Sequence, residues 1–171
     1  MKTLHYTWRW DIQAPPTDVW PLVCNTHAFN RAVGVGPWTF SETPNALGGS
    51  IRVGFLRSWG RLITWDETPF HWVENREFSV LRVYHSGPFL NVLTRLDLEP
   101  ANSGTTLTYT IDAVPRSRLW GLFACYYIGV HTRRQLRKVF GHVARYLVGG
   151  VKEAYPPPLA YPGAPWPGFA T

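Results

Sequence analysis

The chain opens with a strict alternation of apolar and polar residues. Large apolar side chains take every second position, at Leu4, Tyr6, Trp8, Trp10 and Ile12. Successive side chains of a β-strand point to opposite faces of the sheet. The alternation therefore predicts a strand over residues 4–12 with one buried face and one face in water.

Two short helices are predicted after this strand. The sequence Ala-Pro-Pro at residues 14–16 ends the alternation, and Thr17 is a suitable N-cap for a helix over residues 18–25. A second short helix is predicted over residues 27–33, because Gly34 provides a typical C-terminal stop.

Residues 37–115 carry the short apolar runs and turn residues that are typical of a β-sheet. Six strands are predicted, over residues 38–43, 50–56, 61–67, 76–84, 90–99 and 105–113, with a connection over residues 68–75. Short turns join most neighbouring strands. This arrangement predicts an antiparallel meander.

The apolar period changes to that of a helix beyond residue 117. Apolar residues recur at helical steps, at Leu119, Leu122, Tyr126, Val130, Leu136, Phe140, Val143 and Leu147. One helix is predicted over residues 117–148, about 45 Å long, which is enough to cross a sheet. Gly121, Gly129 and Gly141 lie within it. Each costs about 1 kcal/mol relative to alanine, so we expect close packing or a bend at each glycine.

One domain is predicted over residues 1–150. A chain of 171 residues buries about 70% of its unfolded surface, so a second core is not expected. Residues 151–171 are interpreted as a tail or interdomain linker, because residues 154–171 are rich in proline and glycine and poor in charge. A proline-rich ligand for a partner protein is the alternative.

The composition is that of a globular protein with unusually many rings. Hydrophobic residues make up 45% of the chain, which contains 9 Trp, 8 Tyr and 9 Phe. Large rings fill cores, and they also line apolar pockets. The net charge of +6 favours an anionic partner. Nucleic acid is not expected, because the aromatic residues alternate with strand positions and do not interleave with a basic stripe.

Several classes of site have no counterpart in the sequence. Cys24 and Cys125 are too few for a disulfide framework and have no metal-ligand spacing. The sequence contains no glycine-rich phosphate loop and no Gly-x-Ser-x-Gly motif. We therefore expect no cofactor and no metal, and we assign no catalytic residue. The start of the chain does not have the pattern of a signal peptide, and no transmembrane segment is predicted, so a cytoplasmic location is the expectation.

The element order resembles that of a known superfamily. Strand, two short helices, six strands and a long helix follow one another, and the opening has the form Ile12-x-Ala14-Pro15-x-x-Asp18-Val19-Trp20. In these features residues 4–148 resemble the SRPBCC superfamily, which includes START domains, birch-pollen-allergen-like proteins and polyketide cyclases. The resemblance implies an α+β helix-grip fold, in which a curved antiparallel sheet of about seven strands (β-α-α-β6-α) wraps around a long C-terminal helix. It also implies a ligand cavity between sheet and helix. No catalytic residue is carried over, because such residues vary among members.

Two stretches are similar to a narrower bacterial group. Residues 26–35 (THAFNRAVGV) and 64–100 resemble a domain that precedes adenylate/guanylate cyclase catalytic domains. The chain lacks the paired aspartates of a cyclase catalytic domain. The resemblance implies a sensory or regulatory module, with a fused or associated nucleotide cyclase domain as a possible partner.

The leading functional hypothesis is that the chain binds a small hydrophobic or amphipathic ligand, lipid or polyketide-like, in an internal cavity. The candidate ligand-binding residues are Trp38, Phe55, Trp65, Tyr84, Arg95, Tyr109, Phe123, Tyr127 and Arg133. Arg133 falls inside the predicted apolar stripe of the long helix, where it would meet a ligand carboxylate or phosphate. The alternatives are that the rings fill the core and that Arg133 reaches solvent or pairs with an acid.

A cyclase/dehydratase-like enzyme is the second hypothesis. Such a reaction needs a positioned acid or base, and the strands offer polar side chains at Arg82, His85, Arg95 and Tyr109. Asp66 and Glu67 are adjacent on a strand and so face opposite ways. A third hypothesis is a pure interaction domain. It would have no cavity and would use the proline-rich tail and the basic helix face (His131, Arg134, Lys138, His142 and Arg145). That face either lies on anionic lipid or is simply solvated.

Overall fold

The computed structural model describes residues 2–24, 26–33, 39–44, 50–58 and 61–156. The strands are β1 (Leu4–Ile12), β2 (Thr39–Pro44), β3 (Ser50–Ser58), β4 (Arg61–Val73), β5 (Glu77–Tyr84), β6 (Phe89–Ala101) and β7 (Gly104–Pro115). The helices are α1 (Pro16–Cys24), α2 (Thr26–Ala32), α3 (Arg118–Tyr126) and α4 (Arg133–Leu147), and a π-helical segment (Tyr127–Thr132) joins α3 to α4.

The seven strands form one open antiparallel sheet. Their order is β1-β7-β6-β5-β4-β3-β2, so the first strand lies beside the last and every other strand pairs with its neighbours in sequence. The predicted α+β class, the strand-helix-helix-strands-helix order and the meander are confirmed. Because β1 pairs with β7, the chain brings its first strand next to the start of its C-terminal helix.

The register defines an inner face of the sheet, which we take as the face that packs on the helices. Trp8 lies opposite Tyr109, Tyr109 opposite Leu96, and Leu96 opposite Phe78. Directly opposed residues of antiparallel strands share a face. The apolar residues of β1 are therefore continuous with those of three further strands, as the alternation predicts.

The helices pack on the inner face, mainly at β1, β6 and β7. Helix α4 packs against β1, α1 packs against β6, β7 and α4, and α2 packs against α4. Phe140 lies at the centre of this layer, with ring centroids 4.5 Å from Trp10, 5.5 Å from Phe29 and 6.3 Å from Tyr109. The space between α4 and the β1–β7 edge around Phe140 is thus occupied by large rings.

Two predicted boundaries in the first half of the chain are wrong. Helix α1 begins at Pro16, before the predicted cap Thr17, because the first residue of a helix does not need the N–H that proline lacks. Strand β4 continues to Val73, through the predicted connection over residues 68–75. A register shift between Pro69 and His71 explains this, since a bulge lets a strand continue past a proline.

The predicted apolar stripe of the C-terminal helix is wrong in its first half. Leu119 and Leu122 are exposed there, and the buried positions are Ala124 and Ile128. The π-helical segment is the physical reason. A π-helix, with its i→i+5 hydrogen bonds, turns through fewer degrees per residue than an α-helix does. The buried positions of α4 therefore do not continue into α3 at the steps of three and four residues that an uninterrupted α-helix would give.

The three helical glycines differ in their surroundings. A Cβ added to Gly129 would lie 3.0 Å from Cε1 of Tyr6, so the close packing expected there is confirmed. Gly121 makes only an ordinary contact, at 3.6 Å from Pro115. Gly141 has nothing within 4 Å, so the expectation of close packing there is wrong.

The chain folds back on the domain beyond α4. The Tyr155 hydroxyl donates to the carbonyl of Leu22, and Nε2 of His142 lies 2.8 Å from the carbonyl oxygen of Glu153. Tyr155 therefore packs on the core. The predicted boundary at residue 150 stays a prediction, and residues 157–171 of the predicted tail lie outside the described residues.

Candidate ligand-binding site

A buried ion pair joins the middle strands of the inner face. Glu67 on β4 and Arg82 on β5 lie directly opposite each other. The Nε atom of Arg82 donates to Oε2 of Glu67 at 2.9 Å, and both side chains are only about a tenth exposed. Charges at this depth are tolerated only when they are paired and hydrogen-bonded. The pair therefore marks a polar point on a mostly apolar surface.

Further polar groups converge on the same carboxylate. Nη1 of Arg52 lies 3.7 Å from Oε1 of Glu67, and the indole N–H of Trp65 points at Oε2 from 3.4 Å. Arg82 also donates from Nη1 to the hydroxyl of Thr94 at 3.5 Å. We name Arg52, Glu67, Arg82 and Thr94 the polar centre.

The polar centre holds two guanidinium groups and one carboxylate. Glu42 is the cross-strand neighbour of Arg52. Among the described residues, however, Glu67 is the carboxylate found within ion-pair distance of Arg52. The guanidinium of Arg52 is the cation of this centre that is partly exposed, and an anionic group can approach it there.

Arg52 connects the polar centre with solvent. Its side chain is 35% exposed, whereas that of Glu67 is 9% exposed. Its guanidinium carbon lies 3.9 Å from the ring centroid of Phe40, a cation–π contact that holds the charged group over an aromatic face. A molecule approaching from β2 and β3 would therefore meet Arg52 first.

Large rings surround the polar centre on its β2–β5 side. The Trp65 ring lies 5.6 Å from Tyr84 and 6.2 Å from Phe40, between centroids. Gly54 is opposite Trp65 in the register, and the indole occupies the place that a Cβ at Gly54 would take. The glycine therefore allows the Trp65 ring to lie flat against β3. The result is an aromatic surface next to a charged centre.

Tyr109, which is buried, and Tyr84, which is partly buried, belong to the same region. Burial raises the pKa of Tyr84, and it raises the pKa of Tyr109 to about 12, although the positive charge of Arg82 opposes the rise in both cases. A hydrogen bond with Thr94 also favours the ionised form of Tyr109. Both hydroxyls are neutral at pH 7 and can donate to an oxygen.

Three predicted site residues lie on the inner face, namely Trp65, Tyr84 and Tyr109. Phe55 follows Gly54, an inner-face residue, and Arg95 lies between the inner-face residues Thr94 and Leu96. Phe55 and Arg95 therefore lie on the outer face. Arg95 is exposed. Trp38 lies outside the described residues.

The remaining candidates belong to the C-terminal helix. Phe123 and Tyr127 are partly buried and stack with centroids 5.7 Å apart, and Tyr127 stacks in turn on His131 at 5.3 Å. Arg133 is exposed, so its predicted place on a buried stripe is wrong, for the same change of phase at the π-helical segment. A ligand-binding role for any of these residues stays a prediction.

Sequence reasoning did not assign the polar centre to the ligand site. The signal was present on β5, where Phe78, Val80 and Arg82 share one face in a buried strand. From the sequence, Arg82 was a candidate only under the enzyme hypothesis. Glu67 was named only because it is adjacent to Asp66. The two acids do face opposite ways, since Asp66 pairs at the surface with Nε2 of His85 at 2.9 Å.

Two other properties of the described part of the chain bear on the site. It contains no group of three or more His, Cys, Asp and Glu side chains that is able to hold a metal ion. None of its helices is both long enough and apolar enough to span a bilayer.

Comparison with known proteins identifies the fold through structure alone. No family profile matches the sequence, and no curated protein matches it. Among solved structures, the Zhui aromatase/cyclase from Streptomyces sp. R1128 is similar, with a TM-score of 0.59 and 14% identity over 88% of this chain and 100% of that chain. A protein from Thermus thermophilus, TTHA0849, has a TM-score of 0.55 and 12% identity over 88% and 100% of the two chains. Ara h 8.0201 has a TM-score of 0.53 and 8% identity over 86% and 99%.

These identities are too low to transfer an activity or a binding residue. They agree with the observed element order, the open seven-stranded sheet and the C-terminal helix. The chain has the helix-grip fold.

Proposed function

We propose that the chain binds a small amphipathic molecule, lipid or polyketide-like, with its apolar body against the inner-face rings and an anionic head at the polar centre. The observation that carries the proposal is the partly exposed guanidinium of Arg52, which lies over the Phe40 ring and beside the carboxylate of Glu67. A carboxylate or phosphate head would contact this guanidinium from the solvent side. Charge-assisted hydrogen bonds to guanidinium groups are among the stronger contacts in proteins.

The rings around the polar centre support the apolar part of this proposal. Trp65 and Tyr84 lie side by side next to Arg82, and Phe40 lies beneath Arg52. Ligand sites commonly combine an apolar lining with a few placed polar groups. The predicted site residues Trp65, Tyr84 and Tyr109 remain in this proposal. Arg52 and Arg82 take the anion-binding role that the sequence analysis gave to Arg133.

A fluorescence titration tests the proposal. A medium-chain fatty acid and the fatty alcohol of equal length are titrated against the full chain, and tryptophan emission is followed. The acid is expected to bind saturably and more tightly than the alcohol. Arg52→Gln is expected to weaken binding of the acid by about tenfold, the effect of one lost charge-assisted hydrogen bond, and to leave binding of the alcohol unchanged.

Arg57→Gln is the matched control. Arg57 is an exposed cation on β3, as Arg52 is a cation on β3, but it lies on the outer face of the sheet. Equal affinity for acid and alcohol in the parent chain would contradict the anionic head. Absence of saturable binding for both compounds would contradict the binding function itself.

A cyclase/dehydratase-like enzyme is the second candidate. The observation in its favour is the convergence of Glu67, Arg82 and Thr94 at one point of the inner face. Both oxygens of Glu67 already face cationic or N–H groups, which favours binding over proton abstraction. Incubation with a linear poly-β-ketone surrogate tests the enzyme. Cyclised product formed by the parent chain would support it, and unchanged surrogate would oppose it.

A sensory or regulatory role within a larger signalling protein is the finer form of the proposal. It rests on the similarity of residues 26–35 and 64–100 to domains that precede nucleotide cyclases. A cyclic-nucleotide assay of a protein that joins this chain to a cyclase domain, with and without the bound fatty acid, tests it. A rate that does not respond to the fatty acid would count against regulation.

A further inference from the structure

The first half of the C-terminal helix presents apolar side chains to solvent. Leu119 is 80% exposed, Leu122 73% and Tyr126 62%, and Val130 follows four residues later at 37%. The steps of three and four residues place these side chains along one edge of the helix. Scattered exposed apolar residues are ordinary on protein surfaces, whereas a contiguous row marks an interaction surface.

Cations follow the apolar row along the chain. Arg133, Arg134 and Arg137 are exposed on α4, which begins directly after the π-helical segment. We name Leu119, Leu122, Tyr126 and Val130, together with these three arginines, the exposed helix edge. It runs from an apolar half on α3 and the π-helical segment to a basic half on α4.

Among the described residues, the basic half has no ion-pair partner. The sequence contains no Asp or Glu from residue 113 to residue 152. In the part of the chain that the structure describes, every ion pair involves β-strand residues, and none involves a cation of the helix. The arginines of the exposed helix edge are therefore available to an external anion.

We infer that the exposed helix edge docks on the surface of an anionic lipid bilayer. Leu, Tyr and Val side chains enter the boundary between headgroups and acyl chains, and the arginines contact anionic headgroups. An amphipathic helix with an apolar row and basic flanks binds membranes in this way, lying in the plane of the interface. Juxtaposed cations add attraction to anionic lipid, about 1 kcal/mol for each Lys or Arg near the surface.

Charge argues against a second copy of the chain as the occupant. A dimer through this surface would bury six arginines, three from each copy, for which the described residues provide no ion-pair partner, and each chain carries a net charge of +6. Like charges across an interface oppose association. The surface also differs from the ligand site, since it lies on the solvent side of the helix and shares no residue with the polar centre.

Vesicle co-sedimentation of the full chain tests the inference. Vesicles of phosphatidylcholine alone are compared with vesicles that also contain phosphatidylserine, at low and at high salt. Binding is expected only with phosphatidylserine, and it is expected to weaken strongly at high salt, because salt screens exposed charges. Equal sedimentation with both vesicle types, or none with either, would overturn the inference.

Two variants separate the halves of the edge. Arg133→Gln/Arg134→Gln/Arg137→Gln is expected to weaken vesicle binding by on the order of 100-fold. Leu119→Ser/Leu122→Ser/Tyr126→Ser is expected to abolish most of the remaining retention at high salt. The matched control is Arg9→Gln/Arg57→Gln/Arg61→Gln, which removes three exposed cations from the strands and leaves the helix intact.

Thermal unfolding establishes that each variant is folded, and all substituted positions are exposed. If the control triple weakens binding as much as the helix triple, the attraction depends on net charge alone and the assigned surface is wrong. Formation of a dimer in sedimentation velocity that the apolar variant abolishes would assign the edge to a second copy of the chain and overturn the lipid occupant.

Discussion

The guanidinium of Arg82 and the carboxylate of Glu67 meet across β4 and β5 at 2.9 Å, with about nine-tenths of each side chain buried. Removing one member of such a pair leaves a buried charge without its partner. Glu67→Gln is therefore expected to lower the free energy of unfolding by about 3–5 kcal/mol, measured by urea denaturation.

The same pair provides two controls. Glu99→Gln changes an exposed acid and is expected to alter the free energy of unfolding by no more than about 0.5 kcal/mol. The double variant Glu67→Leu/Arg82→Met removes both charges, and its loss is expected to be smaller than that of Glu67→Gln. A double variant less stable than the single one would show that the pair is not the source of the effect.

A methyl group at Gly54 is expected to displace the Trp65 indole. The ring occupies the space of the missing Cβ, and Trp65 is 1% exposed, so it has little room to move. Gly54→Ala is expected to destabilise the chain by about 1–3 kcal/mol, the range for overpacking a core. Tryptophan emission and chemical denaturation measure both effects.

Gly141→Ala is the matched substitution in open space. Nothing lies within 4 Å of the added Cβ, and alanine is the better helix former. This variant is expected to gain up to about 1 kcal/mol. The contrast would disappear if Gly54→Ala were as stable as the parent chain.

The high pKa of Tyr109, about 12, predicts a loss of stability in alkali. The unfolded chain ionises this tyrosine near its usual value of 10, whereas the folded chain holds it neutral up to about 12. The contribution is therefore fully present below about pH 10 and is lost as the pH rises to about 12. Two pKa units correspond to about 2–3 kcal/mol.

Tyr109→Phe isolates this contribution, because Tyr155 also has a pKa of about 12 and titrates in the same range. The parent chain is expected to lose more free energy of unfolding than Tyr109→Phe between about pH 9.5 and 11.5. Parallel curves for the two proteins would mean that Tyr109 ionises normally in the folded state.

The Tyr155 hydroxyl ties the end of the described chain to α1 through the carbonyl of Leu22. Tyr155→Phe removes this hydrogen bond and is expected to cost about 0.5–1.5 kcal/mol. It is also expected to speed hydrogen exchange in residues 148–156. Tyr146→Phe, at a half-exposed helix position, is the control, and equal effects of the two substitutions would argue against the tie.

The strands were predictable because their alternation is a local property. β1 has the predicted bounds, and β5 differs by a single residue at its start, because each strand buries one face and turn residues flank it. The extension of β4 to Val73 was not predictable in this way. Pro69 suggests an end to any strand, and only the pairing with β5 reveals the bulge that accommodates it.

The aromatic residues of the candidate site could be predicted from the sequence, and its charged residues could not. Trp65, Tyr84 and Tyr109 stand on apolar strand faces, which the sequence displays directly. Arg52 and Glu67 are neighbours only through the register of β3 with β4. Pairwise register between strands is set by the whole sheet, so the convergence of two arginines on one carboxylate could not be read from a single segment.

The π-helical segment Tyr127–Thr132 divides the C-terminal helix into two parts that direct different faces toward the core. Because this segment turns through fewer degrees per residue than an α-helix, Leu136, Val139 and Phe140 of α4 meet the core, while Leu119 and Leu122 of α3 are exposed. In an uninterrupted α-helix with this sequence, the face that is buried in α4 would continue unchanged along α3. These six residues therefore separate the exposed row of α3 from the face of α4 that packs on the core.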